Sequence, residues 1–312
     1  MPERVEVIAR VAAADAQGRI LVTQRVGRDY WVLPGGHADP GEALPAAARR
    51  EAAEEAGVPV EVGPLLCVWE VLQGERRLLQ CAFLGRLHGA VAAAETVDRG
   101  PSGGARRRCL VAPGELGTLR LFPAALAAPG FQARLRRYLR VPQNARDPYL
   151  GMEGATHLAL PHRLNARVIL AQEGRLLLVS DDREAFWVLP GGPVQAGERL
   201  EEVLVRETAE ETGFRVVPER LLYLGEFIDA HLGEHRIEAY FLGQPGGGAL
   251  RMGAETGFCD VSTARCEVTR ARWFPRDALA GVTVYPEALR LRLWEDLAAP
   301  TSDLYLGVAR PD

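Results

Sequence analysis

One pattern is written twice in this chain. "GGHADPGEALPAAARREAAEEAGV" at 35–58 returns as "GGPVQAGERLEEVLVRETAEETGF" at 191–214, with glycines, glutamates and arginines in register. Two copies of so specific a stretch require two structural units, and 312 residues are enough for each to bury its own core. The correspondence extends on both sides. "ARVAAADAQGRILV" at 9–22 answers "ARVILAQEGRLLLV" at 166–179, "YWVLPGG" answers "FWVLPGG", and "DPYLG" at 147–151 answers "DLYLG" at 303–307. Each half is therefore expected to close with the same tail, which places the boundary after Gly151 and gives domains 1–151 and 152–312.

Within each half the pattern predicts a strand hairpin turned at Gln17-Gly18 or Glu173-Gly174, then a Pro-Gly-Gly turn and a loop. An amphipathic helix follows, Leu44 to Ala56 in the first half and Leu200 to Thr212 in the second, stopped by Gly57 or Gly213. Further strands and a terminal helix ("FQARLRRYLR"; "PEALRLRLWEDLA") complete each unit. Strands and helices mixed in this order belong to the α/β class.

Composition excludes several roles. No run of 18 apolar residues appears, and "MPERVEVIAR" lacks the basic and hydrophobic regions of a signal peptide, so a soluble cytoplasmic protein is expected. Five cysteines without a C-x-x-C pair read as reduced thiols with no metal role. All 37 basic residues are arginine and the net charge is −4, so "ARRR" at 105–108 and "RLRRYLR" at 134–140 read as solvated faces, and nucleic acid is not an expected partner.

The acidic helices carry the chemistry. At 100° per residue, Glu51, Glu54 and Glu55 share about a third of the helix circumference, as do Glu207, Glu210 and Glu211. Three carboxylates on one side repel one another unless a cation neutralises them or the face lies open to water. Hard oxygen ligands select Mg²⁺ or Mn²⁺ over zinc, and such ions keep positions open for phosphate oxygens. Arg50 and Arg206 adjoin the cluster and can fix carboxylate rotamers, while Gly35 and Gly191 let the backbone approach an ion or phosphate closely. Alone, E-x-x-E-E is equally a solvated acidic face; the whole spacing, present twice, is not.

That spacing resembles the box of the Nudix hydrolases, G-x5-E-x7-R-E-U-x-E-E-x-G-U, in which U is a bulky aliphatic. The first copy supplies Gly36, Glu42, Arg50, Glu51, Glu54, Glu55 and Gly57, and the second supplies Gly192, Glu198, Arg206, Glu207, Glu210, Glu211 and Gly213. Only Ala52 and Thr208 are small for their position. The resemblance implies two tandem α/β/α sandwiches with mixed sheets, and metal-dependent hydrolysis of a nucleoside diphosphate linked to a further group. It implies that Glu51, Glu54 and Glu55, with Glu207, Glu210 and Glu211, hold the ions, one carboxylate per site remaining as a base. Arg50 and Arg206 would orient them, and Glu42 and Glu198 would brace the loop. It also suggests that the halves pack as the two subunits of a dimer of this family would.

The halves differ outside the box. "EVTRARWFPRDAL" at 267–279 makes Glu267 a candidate base or extra ligand, against the reading of an ordinary loop glutamate, and the first half has no counterpart. Arg25 is a candidate substrate contact where the second half has Asp181. Glu70 and Glu226 recur on a strand and are assigned a structural or solvent-facing role, and Trp31 and Trp187 a core role. The glycine-rich segments at 89–107 and 243–266 are long enough to serve as lids. Two alternatives stay open: a module that senses a nucleotide derivative without cleaving it, and one catalytic half with an accessory partner.

Overall fold

The computed structural model describes residues 4–73, 76–91, 98–99, 105–140, 148–153, 160–181, 184–229, 233–250, 268, 270–299 and 305–308. The first half runs β1 (Arg4–Ala14), β2 (Ile20–Arg25), β3 (Gly35–His37), α1 (Leu44–Ala56), β4 (Val60–Gln73), β5 (Arg76–Leu87), β6 (Asp98–Arg99), β7 (Ala105–Val111), α2 (Pro129–Arg140) and β8 (Tyr149–Glu153). The second runs β9 (His162–Gln172), β10 (Arg175–Ser180), β11 (Trp187–Val188), β12 (Gly191–Pro193), α3 (Leu200–Thr212), β13 (Phe214–Asp229), β14 (Glu234–Gly248), β15 (Arg270–Pro275), β16 (Val284–Tyr285), α4 (Glu287–Ala298) and β17 (Tyr305–Val308).

Local chemistry sets these limits. The β9–β10 turn places Glu173 and Gly174 at φ 51° and 72°, the left-handed pair that a two-residue hairpin needs. α1 and α3 stop where Gly57 and Gly213 turn left-handed and return their N–H groups to Ala53 and Ala209. The pairing of β14 with β13 continues to Phe214↔Gly248, so the start of the second glycine-rich segment is strand; residues 251–266 of that expected lid lie outside the described residues, as do 92–97 and 100–104 of the first.

Side-chain alternation decides what each sheet covers. On β1, Val7, Ala9, Val11 and Ala13 face α1, whereas Ala12 and Ala14 face the opposite core with Phe131 and Leu135 of α2. On β10, Leu177 faces the α3 side and Leu176 and Leu178 face Leu289 and Leu293 of α4. Each sheet is therefore sandwiched between helices. Both sheets are mixed: β5 pairs parallel to β1 and antiparallel to β4, and β14 pairs parallel to β9 and antiparallel to β13. The inner cores of the two halves merge. Leu44, Ala47 and Ala48 of α1 share one buried cluster with Leu200, Val203 and Leu204 of α3. Ala52 and Thr208, small for their positions, are fully buried.

The tails do not close their own halves. β8 pairs parallel with β13 of the second sheet, and β17 pairs parallel with β4 of the first. Each half thus lends its tail to the other's sheet edge, where the strand satisfies backbone groups that would otherwise be an exposed template. A boundary at 151/152 falls inside β8 because this strand is the chain's entry into the second sheet.

Glu70 and Glu226 join the halves. Both are buried. Glu70 pairs with Arg77, whose Nη2 also donates to the Glu198 carbonyl in the other half's box loop. Glu226 accepts from the Leu44 amide at the start of α1 at 2.9 Å, from the Tyr149 hydroxyl and from His235 at 2.8 Å. The first turn of α1 holds no acidic residue, so this carboxylate from the opposite half supplies the charge that the helix N-terminus favours. Replacing Glu226 with Ala strands an amide, a hydroxyl and a buried imidazole, and should lower stability by about 3 kcal/mol. Urea unfolding checks this, and a loss below about 1 kcal/mol would contradict it.

His162 packs against His235 with ring centroids 4.9 Å apart, and burial, reinforced by that neighbouring imidazole, depresses its pKa from 6.5 to about 4. Between those values the unfolded chain binds a proton that the folded one excludes. Stability should therefore fall as pH drops through 6.5 towards 4, by up to about 3 kcal/mol. His162→Phe should flatten that limb of a stability–pH curve; an unchanged limb would show that this ring does not titrate as described.

Candidate active sites

The Pro-Gly-Gly turn brings backbone against backbone. Gly35 and Gly191 have φ 145° and 135°, and a Cβ on either would lie 2.2 Å from the Ala9 carbonyl oxygen or 2.1 Å from that of Ala166. The second glycine of each pair admits a carboxylate instead. A Cβ on Gly36 would lie 2.1 Å from Glu51 Oε2, and one on Gly192 2.5 Å from the Glu207 carboxyl carbon. Glycine here lets strand, turn and acidic helix approach to contact.

The box arginine holds that contact in both halves. Arg206 donates to Glu198 at 2.7 and 2.8 Å and to Glu207 at 2.6 Å. Arg50 does the same for Glu42, at 3.0 and 2.7 Å, and for Glu51, at 2.6 Å. One planar guanidinium thus joins the loop carboxylate to the helix carboxylate. Glu42 and Glu198 in turn accept the amides of Asp39 and Gln195, which closes the loop.

The last box glutamate reaches under the turn. Glu211 accepts the Gly191 amide at 2.9 Å, and Glu55 accepts the Gly35 amide at 3.3 Å and the Thr23 hydroxyl at 3.0 Å. Desolvation pushes the Glu211 carboxyl up to about 8, the Gly191 amide and Arg167 opposing the rise and Glu207 and Glu210 adding to it. Desolvation likewise raises Glu207 and Glu55. Glu54 and Glu210 are exposed, and Arg25 is exposed at the end of β2. Glu267 lies outside the described residues.

Sequence reasoning missed a part-buried arginine beneath each turn. Arg10 donates to the Leu33 carbonyl and to Gln80, both at 2.7 Å; Arg167 donates to the Leu189 carbonyl at 2.8 Å and to Glu238 at 2.6 Å. The signal was present as the shared "ARV" of the two opening strands. An arginine that turns inward from a strand needs polar partners, and here they include the carbonyls of the turn.

Among the described residues, no three His, Cys, Asp or Glu side chains are gathered closely enough to hold an ion. The physical reason is that each carboxylate has its own engagement: Glu207 and Glu210 with Arg206, at 2.6 and 3.5 Å, and Glu211 with Gly191. The chemistry of the second set nonetheless fits a hard divalent cation. Its donors are all oxygen, two of its carboxyls are held above their usual range by burial, and a bound cation offsets that strain directly.

The geometry of two glycine turns, each with an arginine-braced acidic helix, agrees with the comparisons. A profile of the NUDIX domain matches residues 4–137 and again 161–294, so the chain belongs to the Nudix family, as two tandem domains of hydrolase type. The chain is 32% identical over 115 residues to an 8-oxo-dGDP phosphatase of Homo sapiens, covering 36% of this chain and 32% of that protein. It is 31% identical over 120 residues to a MutT-like protein of Streptomyces ambofaciens, covering 38% and 68%. An ADP-ribose pyrophosphatase of Methanocaldococcus jannaschii is 34% identical over 88 residues, with 27% of this chain and 52% of that one covered. The match thus spans about a third of the human relative's length. Among solved structures, a UDP-X diphosphatase aligns with a TM-score of 0.36 at 18% identity, over 59% of this chain and 82% of that one. Among the described residues, no helix is long and apolar enough to cross a membrane.

Gly191→Ala should destabilise the second half by about 2 kcal/mol or more, since both φ and the Ala166 carbonyl oppose a side chain there. Thermal unfolding measures it; an unchanged midpoint would show that the turn is not held this tightly.

Proposed function

We propose that the chain is a divalent-metal-dependent pyrophosphohydrolase. It would cleave a nucleoside diphosphate linked to a further group, of the nucleotide-sugar, dinucleotide or nucleoside-triphosphate class. The observation that carries this reading is the arginine clamp: Arg206 ties Glu198 to Glu207 while Glu211 is drawn under the glycine turn, and the first half repeats the plan. The proposed units are 1–151 and 152–312, and their exchanged tails and shared inner core support the reading that they pack as a pseudo-dimer. The free thiols of Cys67 and Cys81 agree with a cytoplasmic setting.

In this reading Glu207, Glu210 and Glu211, with the Gly191 backbone, would hold Mg²⁺ or Mn²⁺, and Glu51, Glu54, Glu55 and Gly35 are their counterparts. When bound, the ion offsets charge on the non-bridging phosphate oxygens and on the leaving phosphate. The chain's own residues do the rest. Arg206 fixes the Glu207 rotamer so that little motion is needed to meet the substrate. The box carboxylate left free of the ion would accept a proton from water as the water oxygen bonds to one phosphorus and the anhydride P–O bond breaks. Arg25 is the candidate phosphate or base contact, and Glu267 remains a candidate base.

The test is turnover of nucleotide sugars, dinucleotides and nucleoside di- and triphosphates with Mg²⁺ or Mn²⁺. The relatives' names put 8-oxo-dGDP and ADP-ribose among the first compounds to try. At least one should be hydrolysed, with kcat/KM falling by roughly a hundredfold or more in Glu207→Gln. No turnover of any compound would contradict the proposal.

A further inference from the structure

The two box sites differ in what surrounds the last glutamate. In the first half Arg106 Nη1 lies 2.9 Å from Glu55 Oε1. The contact is an ion pair without hydrogen-bond alignment, since Oε1 receives no hydrogen bond. Glu55 is 8% exposed, so its charge is met by a guanidinium already inside the site. Arg106 comes from β7, which lies along β2 with Arg25↔Arg106 as cross-strand neighbours.

The second half has less positive and more negative charge at the matched positions. β15 lies along β10 as β7 lies along β2, with Ser180↔Arg270 where the first half has Gln24↔Arg107. The residue preceding Arg270 in sequence is Thr269, outside the described residues, so Arg106 has no arginine as its counterpart. Arg270 and Arg272 approach Glu184, at 3.5 and 3.7 Å. Among the described residues, no guanidinium lies within ion-pair distance of Glu211. Beneath the turn the contrast recurs. Arg10 meets the neutral amide of Gln80, whereas Arg167 meets the carboxylate of Glu238. The strand registers make these partners equivalent: Ile8↔Gln80 and Asn165↔Glu238. The first interior set holds two guanidiniums and one carboxylate, and the second holds one guanidinium and two carboxylates.

We infer that the halves divide their roles: the second box is the site that loads the divalent ion, and Arg106 stands as a built-in cation at the first box and keeps the ion out. A fixed guanidinium against the ligand carboxylate must be displaced before an ion can bind, and the added positive charge of the interior repels the ion besides. In the second half Arg167 is shared with Glu238, so the Glu211 carboxylate has less positive charge beside it than Glu55 has beside Arg106 and draws a cation. This inference rests on the reading of the boxes as metal sites and narrows it to one of them.

Mn²⁺ titration of the intact chain, followed by electron paramagnetic resonance of the free ion without substrate, tests the inference. The wild type should show one class of tight sites, weakened at least tenfold by Glu211→Gln. Arg106→Thr should add a second class, removed again in Arg106→Thr/Glu55→Gln and absent in Arg106→Lys, which keeps the charge. Circular dichroism checks that each variant folds; should Arg106→Thr fail to fold, the comparison of wild type with Glu211→Gln decides alone. Tight binding that survives Glu211→Gln, or a wild type that binds no Mn²⁺, overturns the inference, as does a folded Arg106→Thr that gains no site. Mn²⁺ bound at the second box with no turnover of any nucleotide would instead sink the hydrolase reading and leave the division of the halves standing.

Discussion

One guanidinium gripping two carboxylates holds each acidic helix to its turn. Arg206 spans Glu198 and Glu207, and Arg50 spans Glu42 and Glu51, so the helix cannot rotate without breaking a charge-assisted pair at either end. The clamp works only because Gly36 and Gly192 leave room for a carboxyl group where any other residue would put a Cβ. The rest of the site follows from this geometry. The turn above is sharp, its carbonyls are held from below by Arg10 and Arg167, and the last glutamate of each box is drawn in against the turn's own amide.

The halves do not stand apart energetically. A buried carboxylate of the second half receives the first amide of α1, a buried arginine of the first half reaches the box loop of the second, and each sheet ends in the other half's tail. Each box is positioned partly by the opposite domain. A half whose own box binds no ion can therefore still support the other box, which is a physical reason for a tandem arrangement with unequal sites.

Much of this was legible before any coordinates. The box, its repeat and the glycine stops locate both acidic helices from Leu44 to Ala56 and from Leu200 to Thr212, because a helix of period 3.6 and a left-handed stop are local signals. What escaped was non-local. Nothing near "YLG" shows that the tail crosses to the other sheet, since its own sheet offers a chemically equivalent edge. Glu226 alternates on its strand as a solvent-facing residue would, and only the approach of α1, 182 positions away, makes it a buried acceptor. Arg106 sits in a run of arginines that reads as a solvated face, and its contact with Glu55 depends on the register of β7 along β2.

The division of roles requires that the arginine-braced carboxylates of α3 gather around a divalent ion. Diffraction at the manganese absorption edge, from crystals of the intact chain grown with Mn²⁺ and a non-hydrolysable diphosphate, answers this directly. Anomalous density is expected within coordination distance of Glu207 and Glu211, and none at Glu55. Bare carboxylates on α3 with the diphosphate bound elsewhere would contradict that division.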